Sequence, residues 1–117
     1  MKISTRKVED VTLVDISGQI VLGPETGQLR STVHDLVSRG EKKIILNLAD
    51  VSYIDSSGLG ELISSYTTVR NKGGQLKLLN LNKKAKDLLL ITKLYTIFDV
   101  KEDEYLAVKS FDWFFAK

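Results

Sequence analysis

Ile44-Ile45-Leu46-Asn47-Leu48 is a compact apolar run, and it is followed closely by Asp50-Val51-Ser52-Tyr53-Ile54-Asp55-Ser56-Ser57-Gly58-Leu59-Gly60. The first stretch has the pattern of a strand covered on both faces, as a parallel sheet under helices requires. A loop is expected after Leu48. Leu59, Leu62, Ile63, Tyr66 and Val69 then recur at helical spacing, and Asn71-Lys72-Gly73-Gly74 stops that helix. Leu76, Leu78 and Leu79 form the next strand. Strand, helix and strand in this order make a parallel crossover unit.

Upstream of that unit, Ile3 to Val8 and Val11 to Ser17 read as short strands joined by a tight turn at Glu9-Asp10, an antiparallel hairpin. Gly23-Pro24-Glu25 is expected to open the first helix. Proline suits the first helical position because its missing N–H would be unpaired there anyway, and Glu25 complements the positive end of the dipole. Leu29, Val33, Leu36 and Val37 share a helical face, and Arg39-Gly40 ends it. Toward the C-terminus, a third helix is expected from about Lys83 to Ile91, with Ala85, Leu88 and Leu89 on one face. A short strand follows at Ile97 to Val100. Glu102-Asp103-Glu104 opens a last helix whose Ala107, Phe111 and Phe114 share a face. The fold class is α/β: one domain over residues 1–117, a mixed, mostly parallel sheet of about five strands with about four helices. An aromatic extension begins at about residue 110.

The 117 residues are 43% hydrophobic and 27% charged, an ordinary globular balance. The absence of cysteine excludes disulfides and thiolate metal sites, and the single histidine, His34, argues against zinc. No metal or other cofactor is expected. A net charge of +2 with dispersed lysines does not call for a nucleic acid partner. Met1-Lys2-Ile3-Ser4-Thr5-Arg6-Lys7 lacks the apolar stretch of a secretory signal. Runs such as Leu88-Leu89-Leu90-Ile91 are far short of a membrane span, so a cytoplasmic protein with no membrane partner is expected.

The segment at Asp50 to Gly60 lies where a parallel strand hands over to a helix, the edge at which open α/β sheets place their sites. Helix N-termini gather there with unpaired N–H groups and partial positive charge. Ser56 and Ser57 are the natural cap candidates. Gly58 and Gly60 remove side chains from the first turn, so another molecule's backbone can come close. Each glycine costs about 1 kcal/mol of helix stability against alanine, an expense that access would explain.

Enzymatic readings fail on composition. His34 sits between Val33 and Asp35, off the apolar face of its helix, so Ser56 has no evident base. Ser56 also lacks the Gly-x-Ser-x-Gly flanks of a nucleophile elbow. Gly58-Leu59-Gly60 echoes a phosphate-binding loop, but no Gly-Lys-Ser/Thr follows. The expected class is a binding protein, not an enzyme.

Asp55-Ser56-Ser57-Gly58-Leu59-Gly60, preceded by Leu46-Asn47-Leu48 and Val51-Ser52-Tyr53-Ile54, closely resembles the segment that defines bacterial anti-sigma factor antagonists. The order of strands and helices resembles the whole STAS fold, so the likeness covers nearly the full chain. The resemblance implies that Ser56, directly after the aspartate, is phosphorylated by an anti-sigma factor that is itself a serine kinase. It implies that the unphosphorylated form binds that partner through Asp55, Ser56, Ser57, Gly58, Leu59 and Gly60 and so frees the sigma factor. A PP2C-type phosphatase would reverse the modification. Ser57 is a neighbouring hydroxyl, and only the resemblance favours Ser56 over it.

One stretch departs from the family pattern. Members often carry a Gly-Glu-Leu-Asp-like sequence after the second strand, whereas Gly18-Gln19-Ile20-Val21-Leu22-Gly23-Pro24 places Val21 near the expected aspartate. The departure leaves open a STAS scaffold or transporter-regulatory subunit without a phosphorylation cycle. Lys83, Lys84 and Lys86 are read as a solvated face, with a contact for an acidic partner as the alternative. In the tail Phe111-Asp112-Trp113-Phe114-Phe115, Phe111 and Phe114 are expected to pack inward; an outward Trp113 or Phe115 would mark a partner or weak homodimer contact, in place of a monomer.

Overall fold

The N-terminal hairpin is built from β1 (Lys2–Val8) and β2 (Val11–Ile20), with Val8 opposite Val11 and Glu9 in the left-handed region at φ 57°. The computed structural model describes residues 1–111, so the expectations for Trp113, Phe114 and Phe115 lie outside the described residues. After the hairpin come α1 (Gln28–Ser38), β3 (Lys43–Ile54), α2 (Ser56–Asn71) and β4 (Gln75–Leu79). Then follow α3 (Lys83–Ile91), a single 3-10 turn at Leu94–Thr96, β5 (Asp99–Lys101) and α4 (Glu104–Lys109).

The strands lie side by side in sequence order, β1-β2-β3-β4-β5, with the first pair antiparallel and the rest parallel. The mixed, mostly parallel α/β sheet expected from the sequence is therefore present. Successive crossovers all step in one direction, and right-handed connections of that kind leave their helices on one face. Accordingly Leu29, Val33 and Leu36 of α1, Leu59, Leu62 and Val69 of α2, and Leu89 of α3 enter a common core with Val14, Ile44, Leu46 and Leu78. The opposite face carries a smaller core, in which Ala107, Val108 and Phe111 cover Val11, Leu13, Ile45 and Leu79. Fully burying such a side chain contributes about 1.5–3 kcal/mol, so the larger cluster dominates. Because the strand order never reverses, the crevice that a doubly wound sheet opens at its switch point does not form.

Several boundaries differ from the sequence reading. The first helix starts at Gln28, not at Gly23-Pro24-Glu25; residues 23–26 make a turn closed by Thr26 N–H donating to the Gly23 carbonyl at 3.0 Å. Gly27, at φ 92°, takes a left-handed conformation no helix continues through, and Glu25 accepts from the Met1 amino group at 2.8 Å instead of facing the dipole. The loop expected after Leu48 is strand as far as Ile54, since β2 itself runs on to Ile20 and pairs with it. Two register shifts in that ladder, between Asp15 and Ser17 and between Gly18 and Gln19, extend and bend both strands past the helices. β5 begins at Asp99 and not Ile97, because Leu94–Thr96 forms the 3-10 turn.

Candidate functional site

The chain passes from β3 to α2 through one residue. Asp55 is extended (φ −93°, ψ −175°), its N–H donates to the Ile20 carbonyl at 3.3 Å, and the helix begins at Ser56. Asp55 is the cap, correcting the assignment to Ser56 or Ser57. Its Oδ1 accepts from the Gly58 N–H at 2.8 Å, and its Oδ2 accepts from the Leu22 N–H at 3.0 Å. The carboxylate thus satisfies one orphan donor of its own helix and one of the neighbouring connection. These amides, Gly58 first and Leu22 second, hold the Asp55 carboxyl below the usual carboxylate range.

With the cap fixed, the other motif residues divide. Ser56 is exposed in the first turn and Ser57 is half-buried. Gly58 is buried, and a Cβ built there would collide with the Ile20 carbonyl oxygen and lie 2.8 Å from its carbon. That glycine is demanded by the molecule's own backbone, not by access for another one. A Cβ at Gly60 would meet nothing within 4 Å, so only this glycine fits the access argument. Leu59, 7% exposed, belongs to the core.

Structure adds neighbours to the motif. Leu22 and Tyr53 stand 72% and 49% exposed beside it. The Asn82 side chain caps α3 by accepting from the Ala85 N–H at 2.8 Å and donates to the Val51 carbonyl at 3.2 Å, tying α3 to the end of β3. Tyr53, Ile54, Asn82, Lys84, Ala85 and Leu88 line a shallow cleft of about 150 Å³ there.

Glu61 escaped the sequence reading. It is 5% exposed on α2, and its Oε1 accepts from the Gly27 N–H at 3.0 Å. α1 has no side-chain cap of its own, so a carboxylate from α2 serves the start of α1. Glu61 is next to Leu62 on the inward side of α2, and no Ser, Thr, Asp or Asn stands directly before Gln28. Those two facts together were the available signal. Val21, the departure from the family pattern, lies between Ile20 and Leu22, both of which bond to Asp55. The acidic residue usual there would therefore fall beside Asp55.

Elsewhere the sequence candidates are spread out. His34 is exposed on α1, bordering a depression with Arg30, Ser31, Asp35 and Thr68. Lys83 pairs with Asp87 at 3.3 Å, and Lys86 pairs with Glu102. Phe111 is 5% exposed and packs inward as expected. Among the described residues no group of His, Cys, Asp or Glu side chains is placed to hold a metal ion, and no helix is long and apolar enough to cross a membrane.

A family model for the STAS domain matches residues 2–107. The anti-sigma-B factor antagonist of Bacillus subtilis is 34% identical over 100 residues, covering 86% of this chain and 90% of its own. Among solved structures, the Thermotoga maritima protein TM1081 superposes with a TM-score of 0.85 at 25% identity, over 92% of both chains. The Bacillus protein SpoIIAA, an anti-sigma factor antagonist, shares the fold at 19% identity in its unphosphorylated form, with a TM-score of 0.71 over 96% of this chain and 99% of its own. Its phosphorylated form gives 0.72 at 18% identity, over 92% and 97%. The sheet order, the one-residue passage into α2 and the extent of the family match lead to one assignment: the chain belongs to the STAS domain family.

Proposed function

We propose that the protein is an anti-sigma factor antagonist whose unphosphorylated form binds an anti-sigma factor with serine kinase activity, and that phosphorylation of Ser56 switches the binding off. The observation that carries this reading is an exposed Ser56 hydroxyl in the first turn of α2, directly after a cap that belongs to Asp55. Because Asp55 does the capping, the Ser56 oxygen is spared that task and is available to a kinase. The family membership and the anti-sigma-B factor antagonist of Bacillus subtilis support the same role.

The electrostatics suit a switch read by a partner. A phosphate adds about −1.5 to −2 charges at neutral pH. The positive end of α2 offsets part of that, by about 0.3–1 kcal/mol at an exposed position, while ionised Asp55 repels it. The fold, anchored by the core beneath, changes little. A hundredfold loss of affinity needs only about 2.7 kcal/mol, which desolvating a dianion against a partner supplies. Ser56 and Gly60, with half-buried Asp55 and Ser57, form the contact surface; Gly58 and Leu59 set its shape from beneath. A PP2C-type phosphatase would restore the binding form. The activity is regulation by binding, in the cytoplasm, without catalysis or a cofactor.

The test compares Ser56→Ala and Ser56→Asp against the purified anti-sigma factor by calorimetry, beside phosphopeptide mapping of protein from its native cells. Ser56→Ala is expected to bind, Ser56→Asp to lose about hundredfold in affinity, and phosphate to map to Ser56. Equal binding by both variants and an unmodified Asp55–Gly60 peptide would move the assignment to a STAS scaffold or transporter-regulatory subunit. Val21→Asp restores the family's acidic residue; it should leave stability within about 0.5 kcal/mol while changing the phosphorylation rate.

A further inference from the structure

β5 is shorter than the strand it flanks, and this leaves a gap at one corner of the sheet. It pairs with β4 only from Lys77 to Leu79, so among the described residues no strand lies beside Gln75 and Leu76 on that edge. The gap is a groove of about 270 Å³ lined by Tyr66, Arg70, Leu76, Lys77, Ile97 and Asp99. Leu76 is buried, Ile97 stands 38% exposed, and the Arg70 guanidinium lies over the Tyr66 ring, 5.9 Å from its centroid. The groove sits at the amino end of β4, whereas Ser56 follows the carboxyl end of β3, which runs parallel to β4.

The end of the described chain is anchored at the same corner. Lys77, itself buried, donates from Nζ to the Ser110 carbonyl at 3.1 Å and to Ser110 Oγ at 2.7 Å. It also pairs with Asp99 at 3.1 Å and stands 4.6 Å from the centroid of the Phe111 ring. One lysine therefore belongs both to the groove and to the anchor of Ser110 and Phe111. Asp112-Trp113-Phe114-Phe115 come next in sequence. Trp113 is two residues beyond Phe111, within about 7 Å of extended chain.

We infer that the segment after Phe111 folds back onto this groove and seats Trp113 against Ile97 and Arg70, covering the open edge of β4. The lining suits an indole: Leu76 and Ile97 offer apolar contact to its body, and a guanidinium is attracted to its face more than to that of any other aromatic side chain. A short tether gives the chain's own Trp113 an effective concentration of about millimolar, so it prevails over the same residue of a second copy. A run of aromatics at Trp113-Phe114-Phe115 would otherwise form a patch that proteins rarely leave exposed. An uncovered strand edge is a template for pairing with another chain, and the one contact covers both. The inference goes beyond the Ser56 switch and does not depend on it.

Trp113 is the single tryptophan of the chain, so its fluorescence reports the contact directly in the full-length protein. Its emission should be blue-shifted from that of the urea-unfolded chain, shielded from acrylamide, and unchanged over a wide range of protein concentration. Ile97→Asp should move the emission toward the unfolded value and open the indole to acrylamide. Arg70→Gln, at an exposed position, should raise the quenching in the same direction with an unchanged melting temperature. In the unsubstituted protein, NMR should show nuclear Overhauser contacts between the Trp113 indole and the Ile97 methyl groups, a readout that holds even if Ile97→Asp fails to fold. The inference is overturned if the native emission matches the unfolded chain, or if those contacts are absent. It is overturned equally if a folded Ile97→Asp leaves emission and quenching unaltered. Loss of the blue shift on dilution would also overturn it, since a second copy would then be supplying the contact.

Discussion

Two strand-to-helix connections lie side by side at the same end of the parallel sheet, and they are built in opposite ways. Between β3 and α2 the chain uses Asp55 alone, and that residue caps its own helix. Between β2 and α1 it uses residues 21–27, ends in a left-handed Gly27 and has no side-chain cap of its own. The longer connection is held from outside, by Asp55 at Leu22 and by Glu61 at Gly27. A short connection with local bonds is rigid by construction. A long one is only as ordered as the residues that reach over to it, which leaves Leu22 and Val21 adjustable beside the proposed phosphorylation site.

The largest break in this comparison should come at the glycines. Gly58→Ala drives a Cβ into the Ile20 carbonyl, and calorimetry should register a loss of about 3 kcal/mol, the upper range for overpacking. Gly60→Ala, with open space around it, should instead gain up to about 1 kcal/mol from helix propensity. If the two substitutions behaved alike, Gly58 would not be serving the contact between connections.

Next in size is Glu61→Ala, which strips the Gly27 N–H of its acceptor in a buried setting. A destabilisation of about 1–3 kcal/mol is expected in urea unfolding, with Glu61→Gln retaining most of the stability because the amide oxygen still accepts. Asp55→Ala comes after it. Hydrogen exchange should quicken at Leu22 and Gly58 together while the core strands stay protected, and Asp55→Asn should keep part of the protection at both. Quickening at Gly58 alone would mean that the two connections are independent.

The smallest effect lies on the opposite sheet face, where Arg6 joins Asp15 at 2.6 Å and Glu104 at 2.6 Å and so helps hold α4. Hydrogen bonds from Arg6 keep both carboxyls below their ordinary values of 3.8 and 4.5. The native state therefore binds fewer protons than the unfolded chain through that range. Its contribution is complete above pH 4.5 and is lost as pH falls through the depressed native values. These are partly exposed pairs, so no more than about 1 kcal/mol is at stake. Salt should weaken the Arg6 pairs and leave the Asp55-to-amide bonds of the short connection largely intact, which a titration at two ionic strengths will separate.

Much of this arrangement is legible in local sequence. The apolar stripes of α1, α2 and α3 and the dense run at Ile44 to Leu48 set element types and inward faces, because a helix or strand buries whatever its own period brings to one side. The hairpin at Glu9-Asp10 and the stop at Gly73-Gly74 are equally local. The Asp55–Gly60 motif located the candidate site by resemblance, and the fold sets it at the end of the sheet where β2 and β3 terminate together.

What tertiary structure alone decided are the relationships across about thirty residues. Asp55 was legible as part of a motif, but its hold on Leu22 depends on β2 lying beside β3 with two register shifts. Gly58 reads locally as an opening for a partner, and only the Ile20 carbonyl above it shows that the glycine serves internal packing. Glu61 drew no notice in the sequence, and its bond to the Gly27 N–H exists only once α1 is docked against α2. The start of α1 moved from Pro24 to Gln28 for the same reason: helix propensity is a local term of tenths of a kcal/mol per residue, about 0.7 at most for ordinary side chains. Bonds formed between connections in the folded state outweigh it, and no window of sequence contains both partners.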